Sequence, residues 1–198
     1  MPGKQDPLFE VAAESFVAAS PGDAYRVFSD LRNSPLWSIE CTGGDWTGGE
    51  PGAVGSVFRG DNVRSGDVVP WAPVVRGRWS TYAEVVAAVP GRRFAWAMRD
   101  DAGRAQDSVW SFTVAAALGG CLLAHRFRMG RPTEGIRKIT AGMTDADRAR
   151  FFREWAAKLA HDLSETVHRL KAALERQPAT VPAGATLGLR SATGTGEA

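Results

Sequence analysis

A chain of 198 residues, 44% hydrophobic and 23% charged, has the make-up of a soluble globular protein and is long enough to bury a proper core in one domain or two small ones. Its 24 basic side chains are nearly balanced by 22 acidic ones, and no Lys/Arg-rich block occurs, which argues against a nucleic-acid partner. Cys41 and Cys121 stand far apart and outside any CxxC or Cys/His spacing, which speaks against structural zinc and against a disulfide-stapled secreted scaffold. Glu10 and Glu14 interrupt the apolar start of the chain, so neither a leader nor a membrane span is read, and a cytoplasmic location is expected.

Residues 1–7 read as a disordered N-terminus, and 8–18 alternate loosely as a first strand. Ser20-Pro21-Gly22-Asp23 is a helix start, with Ser as cap, Pro in the first turn and an early acid. Ala24, Val27, Phe28 and Leu31 then fall on one helical face. Ser34-Pro35 predicts a second short helix carrying Leu36, Trp37 and Ile39. The Gly-rich stretch 41–55, anchored by Trp46, reads as a strand and a turn, and 55–63 as a strand with Phe58, Gly60 and Asn62 on one face. Two prolines around Trp71 predict a long loop or lid over 65–77. Residues 78–89 form a longer strand, with Trp79, Thr81, Ala83 and Val85 on one side.

Three further stretches alternate bulky apolar residues with small or charged ones, namely Phe94, Trp96 and Met98, then Trp110, Phe112 and Val114, then Leu123, His125, Phe127 and Met129. Turn signals at Pro90-Gly91, Asp100-Asp101-Ala102-Gly103 and Leu118-Gly119-Gly120 separate these strands. Thr144-Asp145-Ala146-Asp147 then opens a long helix over Asp145–Arg176 with an apolar stripe of Phe152, Trp155, Leu159, Leu163, Leu170 and Leu174. At about 1.5 Å per residue this helix is roughly 48 Å long and can cross a whole sheet. Glu154–Lys158 and Glu165–Arg169 are spaced as ion pairs on its wet face. The Pro-, Ala-, Gly- and Thr-rich residues 177–198 predict a disordered tail. The order is therefore α+β, with about seven sequential antiparallel strands whose greasy face the final helix must cover.

The runs Val54-Gly55-Ser56-Val57-Phe58-Arg59-Gly60-Asp61-Asn62, Trp79-Ser80-Thr81-Tyr82-Ala83-Glu84-Val85, Pro90-Gly91-Arg92-Arg93-Phe94-Ala95-Trp96 and Trp110-Ser111-Phe112 resemble the SRPBCC superfamily. In particular they are similar to its bacterial polyketide cyclase/dehydrase group, over roughly residues 8–176. The resemblance implies a START-like helix-grip fold, in which a curved antiparallel sheet wraps the long C-terminal helix and two short helices follow the first strand. It also implies a small-molecule chamber whose occupants, across the superfamily, are aromatic polyketides in cyclases or lipids in carriers. An acyl carrier protein or a second copy of the chain would be the protein partners. No cofactor and no metal is expected.

Within that frame, strand parity points His125 into the chamber, where a neutral imidazole with a pKa near working pH would serve as general base or acid. Asn62 shares a face with Phe58 and Gly60 and is the candidate donor to a ligand carbonyl. The candidate wall comprises Trp37, Phe58, Trp79, Thr81, Trp96, Met98, Ser108, Trp110, Phe112, Phe127, Met129 and Trp155. Indole faces and the soft Met side chain suit an apolar guest. Each of these has a plainer reading beside it: a core histidine, a turn asparagine, or ordinary aromatic packing. Arg59, Asp61, Arg99 and Asp107 are expected on the solvated side or at strand ends, Asp100 at the rim, and no paired carboxylates at inward positions. Two functions fit this reading, a cyclase or dehydratase on a polycarbonyl substrate and a non-catalytic carrier or sensor of an apolar metabolite. A protein-interaction module using the 65–77 loop or the tail is a third.

Overall fold

Seven strands pair into one antiparallel sheet in the computed structural model, which describes residues 6–176. The expected disordered tail, 177–198, and the expected N-terminal segment as far as residue 5 lie outside the described residues. In chain order the elements are β1 (Phe9–Val17), α1 (Pro21–Ser29), a 3-10 turn (Leu31–Leu36), β2 (Cys41–Gly48), β3 (Val57–Arg64), β4 (Gly77–Val89), β5 (Arg93–Arg99), β6 (Ala105–Ala117), β7 (Gly120–Met129), α2 (Glu134–Thr140) and α3 (Asp145–Arg176). The spatial order is β1-β7-β6-β5-β4-β3-β2, so the first strand pairs with the last, from Phe9 opposite Met129 to Val17 opposite Cys121. Register shifts between Val85 and Ala87 and between Ala97 and Arg99 mark bulges, which bend strands and let a sheet curve. The result is the expected helix grip: a curved sheet, α3 laid against its concave side, and short helical segments after β1.

Local chemistry explains the boundaries. Ser20 Oγ accepts from the Asp23 amide at 3.1 Å, and Thr144 Oγ1 accepts from the Asp147 amide at 3.1 Å, so both expected caps form. The second helical segment departs from expectation. It starts at Leu31, because Asp30 accepts from the Arg32 amide and supplies a cap four residues before Ser34. Ser34 and Pro35 are therefore inside the turn, and Trp37 ends it. The buried stripe of α3 begins at Phe151, with Phe152 only half-buried. The i, i+4 steps 151, 155, 159 and 163 run straight along the axis, and 152 is turned away from them.

Neither expected ion pair on α3 forms. Lys158 pairs with Glu40 and Asp162, Glu154 with Arg150, and Arg169 donates to the Ser38 carbonyl. The short helix α2, capped by Thr133, was not anticipated, since seven residues show less than two turns of periodicity.

The core has two parts. At one end Phe28, Trp37, Phe94, Phe112, Leu123 and Leu170 pack together beneath α1. At the other, Phe127, Met129, Phe151, Trp155, Leu159 and Leu163 pack with Val69, Ala72 and Val74 of the 65–77 loop. That loop is tied down more firmly than a free lid. The Arg76 guanidinium donates to the carbonyls of Gly66, Val68, Val69, Ala72 and Val74, and the Trp71 indole donates to Glu154 at 2.6 Å. Among the described residues no helix is long and apolar enough to cross a membrane.

Candidate functional site

Between the two packed regions, α3 stands off the sheet and leaves a cavity of about 840 Å³. Strand parity and the α3 stripe determine what faces it. Phe58, Asn62, Trp79, Thr81, Trp96, Met98, Ser108, Trp110, His125, Phe127 and Met129 line it from the sheet, Trp37 from the turn after α1, and Trp155 from the helix. Phe112 is the exception among the expected wall residues. It lies one layer behind, wholly buried, stacked on Phe28 at 4.9 Å and on the His125 ring at 4.0 Å. It belongs to the packing beneath α1.

His125 does not have the character expected of it. Its ring lies parallel to Phe112, with Trp110 and Trp96 centred 5.7 and 6.2 Å away. Both ring nitrogens are covered and neither has a hydrogen-bond partner among the described residues. Burial pushes its pKa down to about 3. A ring so reluctant to take a proton is neutral at pH 7 and a weak base, because charging it would strand an ion among aromatic faces. Trp37 Nε1 is likewise buried and unpartnered.

Asn62 is also committed. Its amide nitrogen donates to the Gly60 carbonyl and to Thr81 Oγ1, both at 3.1 Å. Both amide hydrogens are used, so the free donor facing the cavity at this place is the Thr81 hydroxyl. Nor do His125 and Asn62 converge. Through the ladder, His125 aligns with Phe112, Phe94 and Ala88, whereas Asn62 aligns with Trp79, nine residues away along the same strand β4.

The cavity carries a charged group that the sequence reading passed over. Glu40, in the connection before β2, grips the Arg64 guanidinium through both carboxylate oxygens, at 2.7 and 2.9 Å. Lys158 of α3 reaches the same carboxylate at 2.5 Å and also contacts Asp162. Arg64 lies over the Trp79 ring at 4.2 Å and within 5.2 Å of the Trp155 ring. Those two indoles therefore serve both the cavity wall and a cation sandwich. All four charged side chains are at most 21% exposed.

The two carboxylates respond in opposite ways. Burial alone would push Glu40 up, but hydrogen bonds from Arg64 and the Lys158 charge outweigh it and hold Glu40 below the usual range. For Asp162 burial prevails, Lys158 offsets it only in part, Glu40 adds to it, and the carboxyl is raised. Inward carboxylates were not expected, yet Glu40 and Asp162 both line the cavity. Arg64 continues the parity of Phe58, Gly60 and Asn62 one step beyond the expected strand end. Asp162 sits three residues after Leu159, inside the apolar stripe.

Arg99, the last residue of β5, touches the cavity at its rim, while its guanidinium donates to the Gly103 carbonyl and pairs with Glu84 on the other face of β4. Arg59 and Asp61 do pair on the solvated side, as do Asp107 and Arg128. Asp100 lies at the rim, where α2 supplies Glu134 and Ile136 and its cap Thr133. No group of three or more His, Cys, Asp or Glu among the described residues is arranged to hold a metal ion.

A curved seven-stranded sheet closed over a hollow by one long helix defines a helix-grip protein. The family described as polyketide cyclase/dehydrase and lipid transport matches residues 9–175, and the chain belongs to that family. Among solved structures it is similar to the Polyketide_cyc-like protein Cgl2372 of Corynebacterium glutamicum, at 24% identity and TM-score 0.54, covering 88% of this chain and 94% of that one. It is also similar to two di-domain ARO/CYC proteins, BexL of the BE-7585A pathway and StfQ of the steffimycin pathway. BexL is 16% identical with TM-score 0.60, covering 86% of this chain and 51% of its own; StfQ is 15% identical with TM-score 0.58, covering 84% and 50%. At these identities the likeness establishes the fold. A comparison with curated proteins found no match.

Proposed function

We propose that the protein binds an apolar polycarbonyl or aromatic small molecule of polyketide type in this cavity and acts on it as a cyclase or dehydratase. The observation that carries the reading is the cavity itself: about 840 Å³, walled by Trp37, Trp79, Trp96, Trp110 and Trp155, with isolated hydroxyls at Thr81 and Ser108. That volume lies within the usual range for small-molecule sites, and few polar groups in an apolar wall set orientation more than affinity. Flat indoles stack on conjugated rings. A flexible chain held folded against them gains in intramolecular ring closure through orientation alone. Neither an acyl carrier protein nor a second copy of the chain is needed for this reading, and the family's name is consistent with it.

Titration with emodin, a polycyclic hydroxyquinone, tests the binding step by quenching of tryptophan fluorescence. Saturable quenching that Ser108→Trp weakens at least tenfold supports the reading, because Ser108 is buried in the wall and an indole there fills the space. Absent quenching, or quenching that Ser108→Trp leaves unchanged, overturns it. A carrier function is the second reading, favoured by the covered, neutral His125. Emodin binding alongside equally tight binding of palmitate, with no turnover of either, would decide for the carrier.

A further inference from the structure

Asp162 and Thr166 are one helical turn apart on α3 and both face the cavity. Side chains at i and i+4 have Cβ atoms roughly 5–6 Å apart, so both can touch one small group of a ligand. The Asp162 oxygen Oδ2 contacts Lys158, whereas Oδ1 has no partner among the described residues. The Thr166 residue is 5% exposed, and its hydroxyl makes no hydrogen bond among the described residues. A helical Thr commonly bonds back to the carbonyl four residues earlier, as Thr140 does to Ile136 here. Thr166 is left uncommitted.

We propose that Asp162 is the catalytic acid–base of this cavity and that Thr166 is the hydroxyl that holds the carbonyl being enolised. The inference rests on the cyclase/dehydratase reading above. Asp162 Oδ1 takes a proton from the carbon next to a ketone; the C–H pair becomes the enolate, whose oxygen accepts from Thr166. The enolate carbon attacks a second carbonyl of the same chain, forming one C–C bond and turning that C=O into an alkoxide. The alkoxide takes back the proton from Asp162. Ring closure is then an isomerisation that consumes no other reactant.

The surroundings suit the role. Two carboxylates whose environments push them apart divide into a fixed anion and a proton-exchanging group. Glu40, clamped by Arg64 and Lys158, is the fixed anion, and Asp162, held by one ammonium through one oxygen, is free to exchange. The charged or titratable groups around Asp162 are Lys158 and His161 on its own helix, Glu40 before β2, and Arg64 on β3. The inward residues of β1, which packs along α3, are Val11, Ala13 and Ser15 and bring no charge.

The test uses 2-tetralone, a bicyclic ketone with exchangeable protons beside its carbonyl. Their loss into D2O is followed by NMR with the full chain, and binding is measured in parallel by fluorescence quenching. Wild-type protein should accelerate exchange, with a rate that rises with pH and levels off once Asp162 is ionised. Asp162→Asn should bind within about threefold of wild type and lose about 100-fold or more of the acceleration, the range expected of one general base. Asp162→Glu should restore part of it, and Thr166→Val should lose about tenfold.

Wild-type protein that binds the ketone without accelerating exchange, or Asp162→Asn that exchanges as fast as wild type, overturns the assignment and leaves the binding cavity standing. Wild-type protein that fails to bind both 2-tetralone and emodin overturns the cavity reading and this inference with it. If Asp162→Asn does not fold, Asp162→Glu decides. Full activity with no shift of the pH profile, despite the added methylene, would refute the role.

Discussion

Replacing His125 by Phe should stabilise the protein and flatten its acid sensitivity. In the folded chain the imidazole titrates near 3, against an ordinary value of 6.5, because it is buried among Phe112, Trp96 and Trp110. A depressed histidine pKa means that below pH 6.5 the unfolded chain binds a proton that the folded chain refuses. The stability contributed by the neutral ring is therefore complete above 6.5 and is lost as pH falls toward 3. The drop from 6.5 to about 3 amounts to roughly 5 kcal/mol in all. Between pH 7.5 and 5.0 the part lost is about 2 kcal/mol, since at pH 5.0 the unfolded histidine is almost fully charged and the folded one is not.

Phenylalanine keeps the stacked shape and removes two unpartnered nitrogens, each of which costs about 1–3 kcal/mol when buried without a partner. His125→Phe should thus gain at least about 1 kcal/mol at pH 7.5, and its loss on moving to pH 5.0 should be smaller than that of wild type by about 2 kcal/mol. Urea unfolding of both proteins at the two pH values, followed by circular dichroism, measures the double difference, in which the other titrating groups cancel. Equal pH dependence in the two proteins, or an imidazole titration near 6.5 seen by NMR, would refute the reasoning and restore His125 as a candidate base.

Glu40→Gln removes the anion shared by Arg64 and Lys158 and should destabilise the fold by about 2 kcal/mol in chemical denaturation, less than a fully buried pair would lose because these groups remain partly wetted. Gly44→Ala should lose more than about 2 kcal/mol, since the added carbon would lie 2.0 Å from the Arg59 carbonyl oxygen at a φ of +143°. Gly55→Ala, at a φ of +86° with open space around it, should lose about 1 kcal/mol; equal losses at the two glycines would contradict the steric account. Trp71→Phe deletes the indole donor to Glu154 and should lower stability by about 1 kcal/mol while opening 65–77 to limited proteolysis. An unchanged cleavage rate would mean that Arg76 alone holds the loop.

The architecture was legible because strands and caps are local events. Alternation at 94–98, 110–114 and 123–129 and the cap at Ser20 are written in neighbouring residues, and each forms where expected. The cavity wall was legible for the same reason, since parity is preserved along an unbroken strand. Parity says less at a strand end: Arg99 closes β5 and touches the rim of the cavity while its guanidinium pairs with Glu84. The charged clamp was not legible, because it is assembled from Glu40, Arg64, Lys158 and Asp162, which lie on three segments, with Glu40 and Lys158 118 positions apart. Spacing alone paired Lys158 with Glu154, its neighbour on the helix, and only packing shows that a more distant carboxylate takes it. His125 shows a different limit. Strand parity correctly turned it inward, but its proton affinity depends on how completely four aromatic rings cover it.

The sheet and the helix contribute unequally to what this cavity can do. The strand faces supply indoles, two thioethers and hydroxyls, most of them in environments where a charge would be stranded, so the sheet selects a guest by shape and stacking. The buried ion-paired groups of the cavity, Glu40, Arg64 and Asp162, are on the connection before β2, at the end of β3 and on α3, and a second paired set, Asp100, Asp101, Glu134 and Lys138, rims its mouth. Ionised groups persist there because neighbours of opposite sign offset the loss of hydration, which the aromatic floor cannot do. A carrier needs only the floor. A proton-transfer catalyst needs the rim as well, and substitutions at positions 162 and 166 should change turnover without changing affinity, whereas substitutions at Trp96 or Trp110 should change affinity first. That separation, measured as kcat against Kd with one substrate, distinguishes the two uses of the same fold.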